Sequence, residues 1–337
     1  MLKLIVWLGV LGTLISAAPS WSASQSGLVT MHFDLSAQPS GEEVKLWIPY
    51  PVSDQDQLIS DIRVAGDYRT YAVYTDPGHG NAILFAIWDK GAKSRKLDLS
   101  FKAQRQELAR RDFPAQEPGW DQADFRPYLQ ATRLGHIDGK VKELAAAITQ
   151  GQKTVRGKAR AIYDWVCKNM YRDPDTRGCG TGDVCALLKK PGGKCTDISS
   201  VFVALARAAG VPAREVFGLR LGKKPQEDLT QSQHCWAEFH LPGYGWVPVD
   251  PADVRKAMLV EKLKPEDPKT KTYEEYFWGG LDQYRIKLAM GRDLVLNPPQ
   301  NGEPLNTFGY PFAQVGGQTI DWLDPATFKY QFTWKMP

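Results

Sequence analysis

The feature that most constrains the fold is an apolar-faced helix that begins beside a cysteine. Four apolar residues recur at the spacings of three and four that mark one face of an α-helix: Ile198, Phe202, Leu205 and Ala209. Gly210 ends this pattern, and Gly192 and Gly193 lie just before Cys195 at its start. We therefore expect a helix over residues 196–209, with Cys195 at or just before its N-terminus.

A cysteine in that position is suited to nucleophilic chemistry. The unpaired N–H groups and the dipole of a helix N-terminus favour a thiolate, which is the attacking form of a thiol. The same N–H groups can hold an oxyanion, and Gly192 and Gly193 let a substrate backbone come close. The alternative for Cys195 alone is a small buried residue on a helix face, and the helix pattern does not separate the two.

A second motif supplies a base and a carboxylate. Residues 233–251 predict a β-hairpin around Leu241-Pro242-Gly243. Counting outward from a three-residue loop pairs His234 with Asp250, and such cross-strand neighbours have Cβ atoms about 4.5–5.5 Å apart. Asp250 can then fix the tautomer of His234 and stabilise its imidazolium form. A helix-start cysteine together with a register-matched His/Asp pair favours catalysis over coincidence.

The remaining patterns predict an α+β chain with separate modules. Short strand-like runs and turn signals dominate residues 25–106, which predicts a β-sandwich-like N-terminal domain. Residues 107–125 are polar and contain two prolines, so we interpret them as a linker. Helical patterns over 140–149 and 154–170, the cysteine helix and the hairpin form a domain over residues 126–260. Residues 261–337 are expected to pack on this core as a C-terminal extension.

The cysteine and hairpin motifs together resemble the transglutaminase-like superfamily. The matching segments are GGKCTD at 192–197, VALARAAGVPAR at 203–214, HCWAE at 234–238 and GYGWVPVD at 243–250. The resemblance covers about residues 155–255, and the order Cys, His, Asp agrees. It implies a papain-like core in which a helix-borne cysteine faces an antiparallel sheet. It also implies Cys195 as nucleophile, His234 as base and Asp250 as the residue that orients the base.

The same resemblance implies acyl transfer or hydrolysis at a glutamine-type or peptide amide, through a thioester on the cysteine. Members of this kind are transglutaminase-like cross-linkers, proteases and amidases. Because all three residues are retained, we expect an active enzyme that acts on a protein or peptide and needs no cofactor. Trp165, Tyr171 and Gly193 are candidates for lining the substrate or oxyanion site. The alternative is a module that keeps the fold and binds a peptide or cell-wall component without turnover.

The N-terminus predicts export. Lys3 precedes an apolar run from Leu4 to Ala18, and small residues follow, which is typical of a secretory signal peptide over residues 1–23. The run is shorter than the ~20 residues of a membrane-spanning helix. We therefore expect no stable membrane insertion after cleavage, and a periplasmic or extracellular mature chain.

An oxidising compartment makes the five cysteines informative, because an odd number leaves at least one thiol unpaired within the chain. Cys179 and Cys185 lie in a glycine-rich loop and are candidates for a local disulfide. A metal site built from these two residues with Cys195 and His234 matches no familiar zinc spacing, so we predict no bound metal. The formal net charge of +4 is weak and evenly spread, which argues against nucleic acid as a partner.

Overall fold

The structure is a computed structural model that describes residues 23–337. The signal-peptide prediction therefore lies outside the described residues, apart from Ala23. The strands are β1 Ser24–Asp34, β2 Val44–Pro49, β3 Gln57–Gly66, β4 Thr70–Thr75, β5 Ala82–Trp88, β6 Lys96–Gln106, β7 Leu108–Ala109, β8 Tyr171–Arg172, β9 Gly192–Gly193, β10 Ala213–Arg220, β11 Gln226–Asp228, β12 Gln233–Leu241, β13 Gly245–Val249, β14 Gly280–Leu281, β15 Arg285–Met290, β16 Phe312–Val315, β17 Gln318–Thr319 and β18 Lys329–Lys335. The α-helices are α1 Gly139–Ile148, α2 Val155–Asn169, α3 Val184–Lys189, α4 Cys195–Ala208, α5 Pro251–Glu261 and α6 Pro268–Tyr276, and a 3-10 helix spans Gln122–Tyr128.

The β-rich N-terminal region consists of two five-stranded sheets. Their strand orders are β11-β18-β1-β6-β3 and β17-β16-β2-β5-β4. Alternate residues of β6 are buried between the sheets, namely Leu97, Leu99, Phe101 and Ala103, as the two-residue period of a strand requires. The predicted sheet-rich module is confirmed.

The C-terminal residues differ from an extension that only packs on the core. Strand β18 pairs with β1, and strand β16 pairs with β2, so the end of the chain enters both N-terminal sheets. Phe332 and Trp334 of β18 are buried in the sandwich core. These pairings join residues about 300 positions apart, and no local pattern in the sequence specifies such partners.

The α+β core is built from one sheet and the helices that cover it. The sheet has the order β13-β12-β10-β15, and α4 packs against β12 and β10. Helices α1, α2, α3 and α5 in turn pack around α4, so that helix is buried on almost every side. The three predicted helices occur within one residue of the expected bounds at each end. The predicted fold class is confirmed.

The hairpin is formed, but its predicted register is wrong by two residues. Ala237 pairs with Val249 and His240 with Trp246, so the loop is residues 242–244. Gly243 at its centre has φ +74°, a conformation that glycine adopts without strain. Asp250 lies beyond the last pair and begins α5. Because a shift by two residues keeps every side chain on the same face, the expected proximity of His234 and Asp250 survives.

None of the helices between residues 23 and 337 is both long and apolar enough to cross a bilayer.

Candidate active site

Cys195, His234 and Asp250 meet at the junction of three elements. Cys195 is the first residue of α4, His234 lies on β12, and Asp250 caps α5 by accepting a 2.9 Å hydrogen bond from the Asp253 N–H. The Nε2 atom of His234 lies 2.7 Å from Oδ2 of Asp250. Cys195 and His234 line the same cleft. Since Nε2 is engaged by the carboxylate, Nδ1 is the nitrogen available to the sulfur.

The electrostatics favour a thiolate–imidazolium pair. Burial opposes a charged imidazole, but the carboxylates of Asp250 and Asp253 outweigh it and raise the pKa of His234 above its ordinary value. Hydrogen bonds from the thiols of Cys179 and Cys235 lower the pKa of Cys195 well below its ordinary value, and His234 lowers it further. The side chains of Cys195 and His234 are both only 3% exposed, so bulk water screens this pair little.

Three thiols form a compact cluster at the nucleophile. The sulfur atoms of Cys179, Cys195 and Cys235 all lie within 4.8 Å of one another. The hydrogen bond to Cys195 raises the pKa of Cys179, and burial raises that of Cys235. Both shifts favour the neutral thiol at these two positions beside Cys195. Tyr310 Oη in turn donates to the Cys179 sulfur at 3.2 Å.

The structure does not form the Cys179–Cys185 disulfide that the sequence suggested. All five cysteines are free thiols. The loop carries Cys179 inward, where its carbonyl accepts a 2.9 Å hydrogen bond from the Thr196 N–H of α4. Cys185 lies on α3 and is exposed. The alternative of a metal site also included Cys185. The third sulfur atom of the observed cluster instead belongs to Cys235.

A buried arginine that no motif indicated holds the carboxylates of the site. The Arg285 side chain is fully buried and donates to Asp250, to Asp253 Oδ2 at 2.8 Å and to Asp282. Its Nη1 lies 3.2 Å from Nε2 of His234. Arg285 stands opposite Arg220 in the pairing of β15 with β10, and Arg220 donates to Asp253 from the cleft side.

The charges of this network balance when His234 is protonated. Two guanidinium groups face three carboxylates, which leaves one net negative charge. An imidazolium at His234 neutralises that charge. The network therefore favours a protonated His234.

Asp197 fixes the loop before the nucleophile. Its Oδ1 accepts hydrogen bonds from the N–H groups of Thr181 and Gly182, and its Oδ2 accepts one from Lys194 at 3.0 Å. A Cβ at Gly193 would lie 2.3 Å from Asp197 Oδ2, so only glycine fits there. Asp197 thus pins the glycine-rich loop to α4.

A cleft of about 440 Å³ opens onto Cys195 and His234. The C-terminal segment lines its other side with Tyr310, Trp322, Phe328 and Tyr330. None of the three weaker candidates lines this cleft. Trp165 packs against the helical core, Tyr171 is 40% exposed with its ring against Gly192, and Gly193 is buried beneath Asp197.

Two donors are available for a negatively charged oxygen in the cleft. The backbone N–H of Cys195 belongs to the first turn of α4, where amides lack intrahelical partners. Gln233 precedes His234 on β12 and lines the cleft, and its Nε2 is buried with no hydrogen-bond partner among residues 23–337. Sequence reasoning did not single out Gln233, although its position next to the predicted base was the available signal.

Comparison with known proteins agrees with this geometry. Residues 142–251 match the sequence model of the transglutaminase-like superfamily. An uncharacterized protein of Haemophilus influenzae is 38% identical over 333 residues, covering 91% of this chain and 90% of that protein. YebA of Bacillus subtilis, also uncharacterized, is 29% identical over 126 residues, covering 33% of this chain and 17% of that protein.

Among solved structures, a candidate cysteine protease from Cytophaga hutchinsonii has a similar fold. The TM-score is 0.54 at 16% identity, and the match covers 93% of this chain and 99% of that chain. The likeness thus extends through the N-terminal sandwich as well as the core. From the matched motif region and the relative that spans nearly the whole chain, we conclude that this protein belongs to the transglutaminase-like superfamily.

Proposed function

We propose that this protein is an enzyme that cleaves or transfers the acyl group of a glutamine-type or peptide amide through a thioester on Cys195. The observation that carries the proposal is that Cys195 and His234 line one cleft and that Asp250 Oδ2 lies 2.7 Å from the imidazole, with the pKa of the thiol lowered and that of the imidazole raised. Such a pair supplies both a nucleophile and a proton donor at neutral pH.

In the first half-reaction, the thiolate of Cys195 attacks the amide carbonyl carbon and a tetrahedral oxyanion forms. Its oxygen accepts hydrogen bonds from the Cys195 N–H and from Nε2 of Gln233, the donor that has no other partner. The His234 imidazolium then gives its proton to the leaving nitrogen. The C–N bond breaks, and the products are a thioester and ammonia or a peptide amine.

In the second half-reaction, neutral His234 accepts a proton from water or from an acceptor amine. The activated nucleophile attacks the thioester carbonyl, and the C–S bond breaks to restore the thiolate–imidazolium pair. Water gives hydrolysis, and an amine gives a new amide. Asp250 stays in place throughout and orients the imidazole, and Arg285 holds Asp250 by donating to it.

The shape of the surface supports a chain-like substrate. The cleft shares residues 230–232 and Tyr330 with an outer groove of about 880 Å³. The two depressions are therefore adjacent on the surface. Adjacent depressions of this kind suit an extended peptide better than a small compact ligand.

The test is turnover of peptides by the wild-type protein and by Cys195→Ala. A set of glutamine-containing peptides is incubated with and without a primary amine, and ammonia, cleaved fragments and amine adducts are quantified by mass spectrometry. We expect at least one product class in the wild type and none above background in the variant. Equal product from both proteins would refute the proposed role of Cys195, and peptide binding without any product would favour the non-catalytic alternative.

We also propose that the mature protein is exported, on the basis of the signal-peptide pattern in residues 1–23. Expression of the full chain in a Gram-negative host, followed by fractionation and N-terminal sequencing, tests this. We expect a periplasmic product that begins near residue 24. A cytoplasmic product that retains Met1 would contradict it.

A further inference from the structure

The charged side chains that line the cleft leading to Cys195 are all basic. Five lysine or arginine side chains line it, and no aspartate or glutamate does. The whole chain is nearly balanced, with 42 basic and 38 acidic residues, so this asymmetry does not follow from composition. Two of the five are neutralised by carboxylates: Arg177 pairs with Asp321 at 2.6 Å, and Arg220 pairs with Asp253.

The other three have no partner. Arg172, Lys194 and Lys256 make neither an ion pair nor a side-chain hydrogen bond with any other residue of the described chain. We call these three residues the cleft cations. Their positive charges remain free to act on whatever enters the cleft.

The cleft cations lie close together beside the nucleophile. Arg172 of β8 pairs with Gly193 of β9, and Lys194 follows immediately before Cys195. Lys256 lies on α5, which packs against β8. Burial lowers the pKa of Lys256, and Arg220 and Arg172 lower it further, while Asp253 and the Cys195 thiolate oppose them. Like charges thus crowd into one part of the cleft.

The Cys195 thiolate offsets only one of these three positive charges. The positive end of α4 points into the same region and adds to the excess. Grouped cations in a partly enclosed cleft repel one another unless an anion lies between them. A carboxylate placed there would accept charge-assisted hydrogen bonds from groups that have no other acceptor.

We propose that the substrate carries a carboxylate next to the reacting amide and that Arg172, Lys194 and Lys256 bind it. This inference rests on the proposed function for its substrate, although the binding itself does not require turnover. The carboxylate can be an acidic side chain adjacent to the reacting residue or the free α-carboxylate at a peptide end. The aromatic side chains of the C-terminal segment then contact the uncharged part of the peptide.

The test measures binding to Cys195→Ala, so that it does not depend on catalysis. Four fluorescent peptides differ only in a glutamate or glutamine beside a central glutamine and in a free or amidated C-terminus. Anisotropy titrations give the Kd of each. We expect the peptide with the favoured carboxylate to bind at least tenfold more tightly than its neutral counterpart. The preference should shrink as salt is raised, and the pair that shows it identifies the source of the carboxylate.

Two further variants, made in the Cys195→Ala background, test whether the cleft cations cause the preference for the acidic peptide. Arg172→Met and Lys256→Met should each remove most of the preference and leave the Kd of the neutral peptide within about twofold. Lys142→Met, which removes an exposed charge on α1 outside the cleft, is the matched control and should leave both values unchanged. Equal Kd values for acidic and neutral peptides would overturn the inference. So would a preference that survives in Arg172→Met and Lys256→Met.

These outcomes separate the inference from the proposed function. If the wild-type protein turns over peptides but binds acidic and neutral ones alike, the carboxylate site is wrong and the enzyme assignment stands. If acidic peptides bind selectively and no product forms, the carboxylate site stands and the enzyme assignment is wrong.

Discussion

Replacing Arg285 by methionine is expected to destabilise the fold strongly at neutral pH. The guanidinium is fully buried and holds three carboxylates, of which Asp250 is fully buried and Asp253 nearly so. Methionine fills similar space but removes one cationic partner from each of these carboxylates. Removing one partner of a buried ion pair costs about 3–5 kcal/mol. Because whole domains are stable by only about 5–15 kcal/mol, the midpoint of urea unfolding should fall markedly.

The stability lost in Arg285→Met should depend on pH, in a direction that follows from the pKa values of the carboxylates. In the wild type, burial opposes the charged forms of Asp253 and Asp282, but the arginines lower the pKa of both below the unfolded value. Their contribution to stability is therefore present above the unfolded pKa of about 3.9 and is lost as the pH falls through the lower folded values. Without Arg285, the uncompensated burial disfavours the carboxylates instead. The variant should then regain stability relative to wild type as the pH falls from about 7 to 4.

The assay is urea unfolding followed by tryptophan fluorescence at several pH values. Arg285→Lys keeps a charge but not the planar fork, so its loss should be smaller. Arg69→Met removes an exposed pair, in which Arg69 and Asp89 are about half exposed, and should cost at most about 1 kcal/mol. A loss below about 1 kcal/mol for Arg285→Met at pH 7, or a loss that does not change with pH, would refute the reasoning.

Three other substitutions test the site. Asp250→Asn should lower kcat/KM by about 10³–10⁴-fold, because an amide cannot stabilise the imidazolium; a loss below tenfold would argue that Asp253 orients His234 instead. Gln233→Leu should lower kcat about 10²-fold or more with little change in KM, as expected for an oxyanion donor, whereas a change confined to KM would assign it to substrate binding. Cys179→Ala removes the largest contribution that lowers the pKa of Cys195, so the pH profile of Cys195 alkylation should move upward; Cys185→Ala, at an exposed cysteine, is the control and should leave the profile in place.

Local periodicity predicted the parts of the fold that depend on neighbours in sequence. The cysteine helix, the helix over 155–169 and strands such as β5 each follow from residues within a few positions. The His234–Asp250 contact was predicted from a register that was wrong by two residues. It was nevertheless formed, because strand alternation depends only on whether the shift is odd or even.

The features of the fold and of the site that were not predicted depend on pairing between residues far apart in sequence. Arg285 reaches the site only because β15 pairs with β10 across about 65 positions of sequence. No periodicity encodes that partner. The same holds for the entry of β18 into the N-terminal sheet and for the approach of Cys179 to Cys235. A buried charge network is set by these tertiary contacts, so its members look like ordinary surface residues in the sequence.

The central claim is that Cys195 exists as a thiolate paired with protonated His234. The most direct measurement is the rate of iodoacetamide alkylation of each cysteine from about pH 4 to pH 9, mapped by mass spectrometry in the wild type and in His234→Ala. We expect Cys195 to react fastest, its rate to stay high well below the ordinary thiol pKa and to fall only in acid, and this selectivity to be lost in the variant. A Cys195 that is unreactive near neutral pH, or that reacts equally in both proteins, would contradict it.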